Sequence, residues 1–118
     1  IGESNLIEVD VAGVSGGMAT VVLPGGVQVT CPAATNAAGR HALSIRPERV
    51  TISAGAADLR AVVERVVYLG TDLQVLARLE GGTAFTLRLQ NAARTSVPEA
   101  GATIGLHLEE GAARLLAD

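Results

Sequence analysis

The sequence predicts an all-β domain, a small barrel or a sandwich, on three observations. Apolar residues recur at every second position through most of the chain, the period of a half-buried strand. Fourteen glycines punctuate the chain at short intervals, three times as adjacent pairs: Gly16-Gly17, Gly25-Gly26 and Gly81-Gly82. Nearly half the residues are apolar, 48%, yet Tyr68 and Phe85 are the only aromatic ones, so the core is built from Val, Leu, Ile and Ala. Many short strands joined by glycine turns are the mark of a sandwich or barrel.

In chain order, Leu6–Val14, Met18–Leu23 and Val27–Thr30 read as a meander joined by glycine turns. His41–Ile45 and Val50–Ser53 follow, separated by the charged corner Arg46-Pro47-Glu48. Leu59–Leu69 and Asp72–Leu79 are the two longest strands, with Gly70-Thr71 between them. Phe85–Gln90, Thr103–Leu108 and Ala113–Leu116 complete the set. Each places one aliphatic row inward and one polar row outward, as Ile7, Val9 and Val11 do against Glu8, Asp10 and Ala12. A helix over Asp58–Leu69 competes on apolar spacing, but four valines and a tyrosine in that stretch favour a strand. Little or no helix is expected. The connections Pro32–Gly39 and Ala92–Gly101 read as long loops, and no internal repeat stands out from the residues alone.

At 118 residues the chain is one domain's worth, large enough for a core without staples. The formal charge of -3 and a pI near 5.3 argue against a nucleic-acid surface. A lone Cys31 cannot form an internal disulfide, so nothing points to an oxidising compartment. No apolar run approaches the roughly 20 residues that cross a bilayer. The opening Ile1-Gly2-Glu3-Ser4 is neither a leader nor a natural start, so a piece of a longer cytosolic protein is expected. All nine basic residues are Arg. A Walker-type phosphate loop needs a Lys, so this chain holds none and no catalysis is expected of it.

Val14-Ser15-Gly16-Gly17-Met18 looks like the signature loop of ABC ATPases, whose phosphate contact needs a helix N-terminus behind it. Here Thr20-Val21-Val22-Leu23-Pro24, a strand ending in a breaker, follows, so the paired glycines read as a hairpin turn. At Arg46-Pro47-Glu48, Pro47 fixes its own φ and pushes Arg46 toward extended backbone, so the strand turns where the charges sit. Those charges either pair with each other or serve a ligand or partner chain. His41 and His107 have no Cys, His or carboxylate at metal-ligand spacing, and His107 falls on an outward row beside Glu109 and Glu110, a solvated face. Cys31 has no base in nucleophile spacing and reads as an inert thiol. Nothing assembles nucleophile, base and oxyanion donors. The candidate ligand or interface residues are Arg46, Glu48 and His107, with no catalytic, cofactor or metal residues.

Leu43-Ser44-Ile45-Arg46-Pro47-Glu48-Arg49-Val50, then Val67-Tyr68-Leu69-Gly70, then Glu80-Gly81-Gly82, in this order, resemble the TOBE (transport-associated OB) domain of bacterial ABC importer ATP-binding subunits. Ile1-Gly2-Glu3-Ser4-Asn5-Leu6 resembles the junction where the nucleotide-binding domain hands over to that C-terminal regulatory domain. The likeness is to the polyamine (spermidine/putrescine), iron(III) and related substrate group rather than to stand-alone molybdate-binding proteins. It implies an OB-like β-barrel extended by additional strands, residues 1–118 forming one regulatory domain without the upstream nucleotide-binding domain. It also implies a homodimer that holds two ATPase subunits in register, permease subunits as partners of the parent, and a cytoplasmic place at the inner face of the membrane. ATP and Mg²⁺ would belong to the absent nucleotide-binding part. Neither nucleic-acid binding nor membrane insertion is expected. The alternative is a sensing module for an oxyanion, a metal or a polyamine.

Overall fold

The computed structural model describes residues 4–33, 39–53, 55–90 and 97–116. Among these residues ten strands form in the expected places: β1 (Asn5–Ser15), β2 (Met18–Val22), β3 (Gln28–Pro32), β4 (Gly39–Ile45), β5 (Val50–Ser53), β6 (Leu59–Tyr68), β7 (Asp72–Leu79), β8 (Ala84–Gln90), β9 (Thr103–Leu108) and β10 (Ala113–Leu115). The only helical element among the described residues is a single 3₁₀ turn, Pro47–Arg49. The helix considered over Asp58–Leu69 does not form. Arg60–Val63 and Arg65–Tyr68 instead pair with neighbouring strands, where their β-branched side chains fit the pleat. The loops expected at Pro32–Gly39 and Ala92–Gly101 and the junction at Ile1-Gly2-Glu3 fall largely outside the described residues.

Inward and outward rows follow the sequence. Ile7, Val9 and Val11 are buried while Leu6, Glu8 and Asp10 are exposed, and the same alternation runs through β7 and β9. Phe85, Leu43, Ile45, Leu87, Leu106 and Leu115 are among the largest fully buried side chains. The paired glycines adopt left-handed backbone in the hairpin turns, Gly16 at φ 60° and Gly17 at φ 79° between β1 and β2. Positive φ at both central residues matches the twist of a tight hairpin, which settles the signature-like motif as a turn.

The strands make two five-stranded antiparallel sheets, in the orders β10-β4-β1-β2-β3 and β5-β9-β6-β7-β8. If β1–β5 and β6–β10 are each counted from first to fifth, both sheets run fifth, fourth, first, second, third. The fifth strand of each half therefore sits in the sheet of the other. Each sheet curls toward closure between its third and fifth strands. Ala33 bridges Leu115 on one side, and β5 packs beside β8 on the other. The result is two small Greek-key barrels of the OB kind joined by exchange of their last strands. The longest dimension is 42 Å against 26 and 23 Å across.

This internal duplication was not apparent from residue identities, and its register shows why. Val11 and Val63 stand beside equivalent bulges, between Val11 and Gly13 and between Val63 and Arg65. The turn Leu23-Pro24-Gly25-Gly26-Val27 has the same two backbone bonds as Leu79-Glu80-Gly81-Gly82-Thr83. Leu23 N–H reaches Val27 O at 2.8 Å and Gly26 N–H reaches Leu23 O at 2.9 Å; Leu79 to Thr83 and Gly82 to Leu79 repeat them at 2.8 and 2.9 Å. Most other matched positions share only apolar character, such as Ala19 with Val75 or Cys31 with Leu87, so hydrophobic period repeats where identity does not.

Candidate functional site

The corner between β4 and β5 is where the two barrels meet. Arg46 keeps the extended backbone that a following proline imposes (φ -76°, ψ 123°), and Pro47 opens the 3₁₀ turn with its ring buried. Arg49 N–H closes the turn on Arg46 O at 3.1 Å. The matching corner between β9 and β10 does the same, Ala112 N–H on Glu109 O at 2.9 Å. The two corners then hold each other reciprocally: Arg46 N–H donates to Ala112 O at 2.9 Å and Glu109 N–H to Arg49 O at 3.0 Å. Backbone bonds shape this corner. Among the described residues no ion pair joins Arg46 to Glu48, so the local pairing considered from sequence is absent.

Two clefts open on either side of the corner and share Ser4, Pro47 and Glu48. The larger, about 950 Å³, lies on the outer face of β7 and β8 and is walled by Glu48, Asp72, Gln74, Leu76, Thr86 and Arg88. Arg88 Nη1 lies 4.0 Å from Asp72 Oδ2, a loose pair with both side chains substantially exposed. The smaller, about 490 Å³, is walled by Ser44, Arg46, Glu48, Gly111 and Arg114. Arg114 lies directly across from Ser44 in the β10–β4 ladder, and Arg46 follows two residues on, along the same face. Exposed guanidinium, carboxylate and amide groups thus line the clefts, with no nucleophile–base pairing among them.

Asn5 is the residue that sequence reasoning passed over. It occupies an inward position of β1, is 9% exposed, and sits at the edge of the larger cleft. Its Nδ2 donates to Thr86 O at 2.7 Å and to Ile45 O at 3.4 Å, and its Oδ1 accepts Thr86 N–H at 2.8 Å. The side chain therefore acts as a short stretch of neighbouring strand, satisfying the free edge of β8 from the first barrel. A polar residue in the row Asn5, Ile7, Val9 was the available signal.

Arg46 and Glu48 both line the smaller cleft, and His107 lies elsewhere. It stays on the exposed outer row of β9, where Nδ1 lies 3.2 Å from Asp58 Oδ2. The same carboxylate oxygen accepts Leu108 N–H at 2.8 Å, tying the start of β6 to the end of β9. His41 is buried in the first barrel. Among the described residues no group of three or more His, Cys, Asp or Glu is placed to hold a metal. Cys31 is buried, and desolvation raises its thiol pKa against a smaller opposing effect of a hydrogen bond from the Leu115 backbone.

The sequence pattern of the TOBE domain matches residues 43–116. The chain belongs to the TOBE domain family. This TOBE domain is 34% identical over its whole length to the spermidine/putrescine import ATP-binding protein PotA of Roseobacter denitrificans, covering 34% of that protein. It is 37% identical to the protein of the same name from Pseudomonas fluorescens, again over its whole length and 33% of the relative. With PotA 1 of Pseudomonas aeruginosa it shares 41% over 77% of the chain and 26% of that protein. The chain thus spans about a third of the length of the first two relatives. The cytoplasmic molybdate-binding protein ModG, in a form with molybdate bound, superposes with a TM-score of 0.76 over 98% of this chain and 96% of its own. At 16% identity that likeness establishes the shared fold.

Proposed function

We propose that residues 1–118 form a single regulatory and dimerisation module of the ATP-binding subunit of a bacterial ABC importer for polyamines, iron(III) or a related substrate. The observation that carries this reading is similarity along the entire chain to import ATP-binding proteins, of which it matches only a third. In this role two copies of the domain hold two ATPase subunits in register while the permease subunits carry the substrate. ATP and Mg²⁺ are handled by a separate nucleotide-binding domain, consistent with a chain devoid of Lys. The site of action is the cytoplasmic face of the membrane, and the acidic balance speaks against nucleic acid as a partner. Sedimentation across a wide concentration range tests it: a monomer–dimer equilibrium without ATP binding is expected. A monomer at every concentration would remove the dimerisation half.

The corner clefts favour a second reading, a sensor for a small charged ligand. Glu48 faces both clefts, Asp72 and Arg88 wall one, and Arg46 and Arg114 wall the other. A binding fold-mate with an oxyanion in place makes the fold a precedent for such a role. Saturable thermal stabilisation by one class among molybdate, Fe³⁺ and spermidine supports it by linkage, and a flat series across all three removes it.

A further inference from the structure

We propose that the smaller cleft binds an acidic α-amino acid, glutamate or aspartate, through Arg46, Arg114 and Glu48. The inference goes beyond the sensor reading above, since it concerns this cleft alone and a ligand class outside that series. Among the described residues the ionisable side chains lining the cleft are these three, two guanidiniums and one carboxylate. Arg114 stands opposite Ser44 in the β10–β4 ladder, and Arg46, whose N–H bonds Ala112 O, follows two residues on along the same face. The two arginines are therefore diagonal neighbours across the ladder, at positions about 7–8 Å apart. Like charges this close repel, the more so where a cleft excludes part of the solvent. Among the described residues neither guanidinium has a carboxylate partner and Glu48 forms no ion pair, whereas Arg40, Arg78 and Arg88 each face an acid.

Two fixed cations and one fixed anion complement a molecule with two anionic groups and one cationic group. An acidic α-amino acid at neutral pH is such a molecule, with two carboxylates and an ammonium. The guanidinium fork matches a planar carboxylate through two parallel N–H···O bonds, so each arginine takes one carboxylate. Ser44, next to both arginines on the same face, has a hydroxyl that can donate to either. Glu48 takes the ammonium. Other classes match less of the cleft. Molybdate or phosphate would set its charge against Glu48, and one tetrahedral ion makes the two forks compete for a single centre. Spermidine would meet two guanidiniums. An amino acid with one carboxylate leaves an arginine unmatched, and a plain dicarboxylate leaves Glu48 unmatched. Pro32 and Pro47 also line the cleft, and their fixed backbone torsions reduce the ordering that binding requires.

The test is calorimetric titration of the whole 118-residue chain at fixed ionic strength. The ligands are L-glutamate and L-aspartate, their analogues without the ammonium (glutarate, succinate) and without the α-carboxylate (γ-aminobutyrate, β-alanine), molybdate and spermidine. Saturable binding of glutamate or aspartate is expected. Each analogue that lacks one charged group should bind about tenfold more weakly or worse, the factor that one charged hydrogen-bonded contact is worth. Arg46→Gln or Arg114→Gln weakens binding of the amino acid by a similar factor, and Glu48→Gln brings it to parity with its dicarboxylate. Arg78→Gln, outside the cleft, leaves the affinity unchanged. Melting of the ligand-free proteins separates binding from folding: relief of the like-charge contact predicts that the Arg46 and Arg114 variants melt no lower than the unsubstituted chain. Should either fail to fold, Glu48→Gln and the ligand series decide alone. No binding of either acidic amino acid, or equal affinity for it and its dicarboxylate in the unsubstituted chain, overturns the proposal. Binding of molybdate or spermidine in their place overturns it too and leaves the sensor reading standing.

Discussion

At the scale of single residues, Asn5 decides how the two barrels are joined. The edge of β8 carries an N–H and a C=O at Thr86 that β7 cannot reach, and Asn5 satisfies both from β1. Leaving a buried polar group unpaired costs about 1–3 kcal/mol. Asn5→Leu keeps the volume and removes the bonds, so a loss of about 2 kcal/mol in urea unfolding is expected. A change within about 0.5 kcal/mol, the scale of an ordinary surface substitution, would mean that the clamp is dispensable. The residue was legible in outline, as a polar side chain in an otherwise aliphatic row, but its partner was not. Thr86 lies 81 positions away, and nothing in an outward-facing threonine announces that its backbone needs a donor and an acceptor. Asp58 was hidden in the same way: the sequence set His107 beside Glu109 and Glu110, whereas the β6–β9 pairing brings a carboxylate from 49 positions back (107 − 58).

At the scale of elements, the strands themselves were readable and their partners were not. Period-two alternation located all ten strands, and the Arg46-Pro47-Glu48 corner fell between β4 and β5 as a proline after an extended residue dictates. Which barrel a strand enters leaves no trace in its alternation. Val50–Ser53 and Ala113–Leu115 would show the same pattern in either sheet, so the exchange of fifth strands is a property of pairing, visible only in the ladders. The exchange has a consequence for β10, a strand of three residues that covers the first barrel from the end of the chain. Leu115 is fully buried there and its backbone bonds the Cys31 thiol. A chain ending at Glu110 loses that cover. Removing burial lowers the thiol pKa by more than losing the hydrogen bond raises it, since burial is the larger cause. Cys31 in the shortened protein therefore reacts readily with a disulfide reagent at pH 8, where the intact protein is slow. Equal rates would show that β10 does not seal the first barrel.

At the scale of the whole molecule, two barrels knit by exchanged strands behave as one body. A barrel with a private fifth strand could melt alone; here the opening of either barrel pulls a strand from the other. Such coupling would suit the proposed role of keeping two subunits in register, because a rigid platform transmits position where two hinged barrels would not. The described surface carries scattered ion pairs such as Arg78–Glu64 and Arg40–Asp10. Exposed pairs of this kind contribute about 0–1 kcal/mol each, so stability rests on the two cores and the strands between them. The measurement that tests this most directly is scanning calorimetry of the intact chain, beside versions carrying Leu43→Ala in the first barrel or Leu106→Ala in the second. Both leucines are fully buried, and each truncation should cost about 2–5 kcal/mol. The coupled body predicts one transition, with van't Hoff and calorimetric enthalpies equal, that either substitution shifts down as a unit. Two transitions, with each substitution lowering only its own, would contradict it.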